Sequence, residues 1–210
     1  MDTTQIETMI EEHAADGPAA PELHDLLAVV AERQGVQPTT PQLDDGSRFV
    51  LAYINQVPYM MKVAWTAASN VGLEKEMQRI LDMVQSYWIE GDDVIPDDLG
   101  VIGLLDDAYC SLTSLQAVSD HYRLLTGKHL FPADLTRANN AMHQIIGEPY
   151  VTELDRIVVR TMKETGLVES VKHLADEDKR INLSSDSTIW NHGTVGQLDV
   201  GDLDPLGIEL

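Results

Sequence analysis

Cysteine is almost missing from this chain: Cys110 stands alone among 210 residues. A single thiol excludes an internal disulfide framework and any cysteine-rich zinc site, and a reducing cytoplasm is the simplest setting it implies. Aromatic residues are scarce at 5%, and few segments are rich in β-branched residues, so a β-sandwich or barrel is disfavoured. Basic residues are outnumbered, 14 Lys and Arg against 35 Asp and Glu, which leaves a formal net charge of −21. A field of that sign repels phosphate backbones and anionic lipid, so no direct nucleic-acid binding is expected. Basic partners and divalent cations remain compatible with it. Long apolar runs are also lacking. The stretch from Phe49 to Ala68 is the nearest, and it is interrupted by Asn55, Gln56, Pro58 and Lys62. Polar groups at the centre of a span are costly, so this stretch reads as a buried core helix, with peripheral membrane attachment a minor alternative. The opening residues MDTTQIETMIEEH have neither a basic region nor an apolar core, and no signal peptide is expected.

What is present is hydrophobic periodicity. Hydrophobic residues make up 43% of the chain, enough to bury one core at this length. Ile6, Met9 and Ile10 predict a short helix over 3–15. Leu23, Leu26, Leu27 and Val30 predict a second, which starts at Pro21 and stops at Gly35. Residues 36–46, with Pro38, Pro41 and Asp44-Asp45-Gly46, read as a connector between an N-terminal hairpin (1–35) and a main helical domain (47–180). Ser47 is the expected cap of the next helix, which should kink or break near Pro58. Met77, Ile80, Leu81, Val84 and Trp88 share a face of a helix that ends near Gly91. Further helices are expected over 104–126, from Pro132 to Gly147, over 150–165, and over 168–178. There is no internal repeat. The expected fold is all-α, a bundle of about six to eight helices.

The most informative stretch is residues 91–107. From Glu90 to Asp107 it holds seven acidic groups and no basic one, with Pro96, Gly100 and Gly103 folding it back. One reading is capping, with Asp93 or Asp97 accepting free amides at a helix start and Asp106 and Asp107 in the first turn of the next helix. The other is a hard-cation site in which Asp93, Asp97, Asp106 and Asp107 supply oxygen ligands to Mg²⁺ or Ca²⁺. That second reading carries a functional alternative, a metal-dependent hydrolase.

The pattern Asp93-x-Ile95-Pro96-Asp97 followed by Gly103-x-Leu105-Asp106-Asp107 resembles the signature of the YkvA-like family, a helical domain without an established biochemical role. The resemblance covers roughly residues 75–125 and implies a fold element rather than an activity. It marks Ile95, Pro96, Gly103 and Leu105 as motif residues. One departure is plain: Gly100 stands where the pattern has its second proline.

Other constellations are weaker. Asp107, Cys110, Ser114 and His121 share a helix face, but the first and last are about 21 Å apart along a helix and cannot ligate one ion. Asp120-His121 with His129 and His143 do not match a histidine–aspartate metal centre in order or spacing. Cys110 reads as a buried, inert thiol. No catalytic constellation emerges, and no cofactor is expected beyond Mg or Ca. Residues 181–210 hold no Lys or Arg and no helical periodicity, so they predict a flexible acidic tail. Leu203, Leu206, Ile208 and Leu210 are spaced apolar residues within it, which suit a linear segment that docks on a protein partner. The leading expectation is a cytoplasmic, non-enzymatic adaptor or regulatory protein, of unspecified oligomeric state, acting through protein–protein contacts.

Overall fold

The computed structural model describes residues 2–69, 74–89, 94–127, 135–164, 166–181 and 198–208. Among these the fold is all-α. Eight α-helices follow in order: α1 (Thr4–His13), α2 (Pro21–Arg33), α3 (Thr40–Ser69), α4 (Glu74–Ser86), α5 (Leu105–Thr126), α6 (Thr136–Ile146), α7 (Tyr150–Glu164) and α8 (Leu167–Ile181). Among the described residues three 3-10 segments accompany them, Gly17–Ala19, Asp97–Leu104 and Val200–Leu206.

The order of packing follows from how much of each helix is apolar. Helix α5 is buried along most of its length, including Leu105, Ala108, Leu112, Leu115, Val118 and Tyr122. A helix buried on nearly all sides, small polar residues included, must be enclosed by its neighbours, and α5 is: α3, α4, α6, α7 and α8 pack against it. The others bury one stripe each, such as Met77, Ile80, Leu81 and Val84 of α4. Gly127 ends α5 in the left-handed conformation at φ 75°, where a residue without Cβ bears no steric cost. Two large polar side chains that enter this core are matched. The Tyr53 hydroxyl donates to Asn139 Oδ1 at 2.8 Å, and Trp88 Nε1 donates to Ser111 Oγ at 2.9 Å. Among the described residues no helix is long and apolar enough to cross a membrane.

Three expectations need correction. First, residues 40–46 are not a connector but the opening turns of α3, so Ser47 lies buried inside the helix rather than capping it. The cap is Thr39, whose backbone N–H and hydroxyl both donate to Gln42 Oε1, at 2.8 and 2.9 Å. This Thr-x-x-Gln arrangement is half of a capping box, and Pro41 fits a first helical turn because its missing N–H has no partner there anyway. Second, of the kink or break expected at Pro58, the break does not occur. Helix α3 runs on to Ser69, with flanking Val57, Met60 and Met61 fully buried, so packing outweighs the roughly 3 kcal/mol a helical proline costs.

The third correction concerns the C-terminal region. Residues 182–197 and Leu210 lie outside the described residues, but 198–208 is no free tail. The Val200–Leu206 segment packs on α2, α3 and α6, and Leu203, Leu206 and Ile208 are at most 1% exposed. In a 3-10 turn residues i and i+3 eclipse, so Leu203 and Leu206 enter the core side by side. Gly46 of α3 makes the room: a Cβ there would lie 2.7 Å from Leu206 Cδ1 and 3.0 Å from Leu27 Cδ1. These apolar residues are therefore occupied within the chain itself and are not available as partner anchors.

Candidate functional site

The corner before α5 takes its shape from one carboxylate. Asp106 Oδ2 accepts the backbone N–H of Val94 at 2.9 Å and of Ile95 at 3.0 Å, and Oδ1 accepts the N–H of Asp107 at 3.1 Å. The chain thus bends back over 11 and 12 residues onto the first turn of α5. Burial pushes the Asp106 carboxyl above its ordinary range, while the amides of Ile95, Val94 and Asp107 pull the other way. Ile95 and Leu105 lie in the core, Gly103 is buried, and Pro96 is exposed. Gly100 turns the corner at φ 65°, ψ −135°. A proline ring holds φ near −65°, so the proline of the resembled pattern has no place on this backbone path.

The expected cation site finds little room here. Two amides saturate the in-plane lone pairs of Asp106 Oδ2, and Oδ1 already accepts a third. Asp107 is buried beside it. Asp93 and the side chain of Asp97 lie outside the described residues. Among the described residues no group of three His, Cys, Asp or Glu side chains is placed to hold a metal ion. Asp106, in the first turn of α5, accepts the amides of a bend before the 3-10 segment.

The histidines and the thiol are dispersed. His143 Nε2 of α6 lies 3.8 Å from Asp155 Oδ2 of α7, and Tyr109 of α5 donates its hydroxyl to Asp155 Oδ1 at 2.9 Å. This contact ties three helices at a half-exposed edge of the bundle. His129 is outside the described residues. Ser114 meets the Tyr87 hydroxyl at 3.0 Å, and burial pushes that phenol up to about 12. Cys110 is buried, and burial first, then the charges of Asp106, Asp107 and Asp155, raise its thiol far above the ordinary value. Thiolate is the reactive form. The native protein should consume no Ellman's reagent over minutes at about pH 8, whereas urea-unfolded chain should titrate one thiol per molecule. Rapid native labelling would show that α5 opens readily.

A different feature has the shape of a site. Between α3 and the 198–202 stretch runs an open cleft of about 480 Å³, lined by Arg48, Phe49, Ala52, Asn55, Gln56, Tyr59, Leu198, Asp199 and Asp202. Its size falls within the range of ligand sites. The α3 wall follows from helical spacing: Arg48, Ala52, Asn55 and Tyr59 recur at intervals of three and four and so share one stripe. Arg48 pairs with Asp45 one turn earlier in the same helix. The Asn55 side-chain amide donates back to Leu51 O at 2.8 Å. Opposite, Asp199 Oδ1 accepts the Gly201 N–H at 3.0 Å and starts the 3-10 turn.

Sequence reasoning missed this cleft. The polar stripe within 48–59 is visible in the sequence, but Asn55 and Gln56 there speak only against a membrane span. The opposite wall comes from residues assigned to a flexible tail. Comparison of the chain with family models, with curated proteins and with solved structures finds no match in any of the three.

Proposed function

We propose that this is a non-enzymatic adaptor or regulatory protein of the cytoplasm, related to the YkvA-like domains, which acts by holding a segment of a protein partner in the α3 cleft. The observation that carries this reading is the cleft itself. It is open, and it joins aromatic, aliphatic, amide and charged side chains in one surface. That mixture is the composition of a recognition surface, with an apolar floor for contact area and polar groups to fix register. In this reading the Asp93–Asp107 pattern marks kinship, and no activity is drawn from it. The metal-dependent hydrolase reading has less support, because the oxygens of Asp106 are committed to backbone amides.

The experiment is capture on the immobilised full chain from the cytoplasm of its own source, with Ala52→Trp as the control. Ala52 is exposed on the floor of the cleft, so an indole there fills the space without entering the core. The expected result is a protein retained by the wild type and weakened at least about tenfold by Ala52→Trp. A retained set unchanged by Ala52→Trp, or a chain that elutes alone, rejects the reading.

A further inference from the structure

The charges around the cleft point to the chemistry of its occupant. Arg48 is already neutralised by Asp45. Across the cleft, neither Asp199 nor Asp202 forms an ion pair among the described residues, and both are exposed. Asp199 is the N-cap of the 3-10 turn and Asp202 lies within its first turn, and both line the same cleft. Two negative charges lining one cleft favour a cation placed between them. Beside them lie Leu198, Ala52 and Tyr59, apolar or amphipathic surface next to an anionic mouth.

We infer that the cleft selects a protein segment carrying a lysine or arginine, its cation taken between Asp199 and Asp202 and its aliphatic stem laid along Leu198, Ala52 and Tyr59. The inference rests on the cleft being the contact site proposed above. A hard metal ion fits less well, because it needs several oxygen ligands and no group of three ligating side chains is assembled among the described residues. Long basic side chains, by contrast, place a charged head in a polar mouth and a methylene stem on apolar surface. The ring of Tyr59 adds a face that attracts cations. The net charge of −21 steers basic segments toward the molecule, and the cleft then decides which of them stays.

The test is selection of random decapeptides displayed on phage against the full chain at about 0.15 M salt, where diffuse surface attraction is largely screened. Selected peptides are then synthesised, and their affinities measured by fluorescence anisotropy. The expected result is peptides with one or more Arg or Lys between apolar residues. Their Kd should rise at least about tenfold in the double variant Asp199→Asn and Asp202→Asn, and likewise in Ala52→Trp. Asn at 199 keeps an acceptor oxygen for the Gly201 N–H, so the turn survives, and an unchanged Tm verifies it. Peptides without a basic residue that are nonetheless lost in Ala52→Trp would overturn the cation inference while the cleft stands. Basic peptides indifferent to the Asn pair would overturn it as well, showing diffuse attraction only. Displacement of the peptides by spermidine at equal affinity would reassign the site to small polyamines. Binding untouched by Ala52→Trp, or no peptide selected, would remove the contact site along with its occupant.

Discussion

Ending the chain at residue 197 should cost most of its stability. The segment removed places Val200, Leu203, Leu206 and Ile208 in the core, each at most 7% exposed. Burying side chains of this size contributes about 1.5–3 kcal/mol apiece, or roughly 6–12 kcal/mol together. Residual compactness of the unfolded chain lowers that sum by a fraction, but it remains comparable with the whole stability of a typical domain, about 5–15 kcal/mol. Thermal unfolding followed by circular dichroism should show a Tm at least about 10 °C lower, or no cooperative transition. Leu206→Ala is the graded version, expected to cost about 2–5 kcal/mol because α3 and α2 cannot collapse fully into the space left. A truncated protein melting within about 2 °C of the full chain would mean that the segment is a dispensable tail.

Asp106 should divide its two obvious replacements. Asp106→Ala leaves the buried Ile95 N–H, and with it the N–H of Val94, without an acceptor. Each orphaned donor costs about 1–3 kcal/mol, less where water reaches it, so a loss of about 2–4 kcal/mol is expected. Asp106→Asn keeps a carbonyl oxygen where Oδ2 now sits and removes a charge that burial disfavours. It should stay within about 1 kcal/mol of wild type at neutral pH. The pH dependence separates charge from shape. The folded-state carboxyl lies above its ordinary value, chiefly through desolvation. Its contribution to stability is therefore fully present below the unfolded value and is lost as pH rises through the folded one. Wild type should gain stability relative to Asp106→Asn on acidification through the carboxylate range. A gap that narrows on acidification, or an Asn variant as unstable as Ala, would show that the negative charge itself holds the corner.

Much of the bundle was legible because its helices announce themselves. The apolar stripes of α4 and α7, and the glycines after α5 and α6, are local signals of period and termination, and local signals survive in a sequence. The misses share a cause of the opposite kind. Residues 36–46 look like a loop when prolines and glycine are counted, yet Thr39-x-x-Gln42 is a helix start, and Gly46 is small because Leu206 approaches it. Nothing near Gly46 in sequence reveals that approach. Leu203 and Leu206 repeat every three residues, a 3-10 period that a search for the α-helical one passes over. The acidic corner was found as a bend, and its last two aspartates were rightly placed in the first turn of α5. Which aspartate receives the amides depends on how far the chain folds back, which is a matter of tertiary geometry. The cleft was the least legible of all, since its walls lie about 150 residues apart, 198 minus 48.

The contact between Gly46 and Leu206 also bears on synthesis. The two residues are separated by 160 positions, 206 minus 46. At roughly 5–20 residues per second, a ribosome needs about 8–32 s to travel from one to the other. For the later part of that interval α2 and α3 are complete while the leucines that cover them do not yet exist. The nascent protein therefore carries an uncovered apolar seam, a surface that chaperones and proteases recognise. Arrest of translation before residue 203 would leave that seam open, so closure of the α2–α3 surface waits on the 198–208 segment.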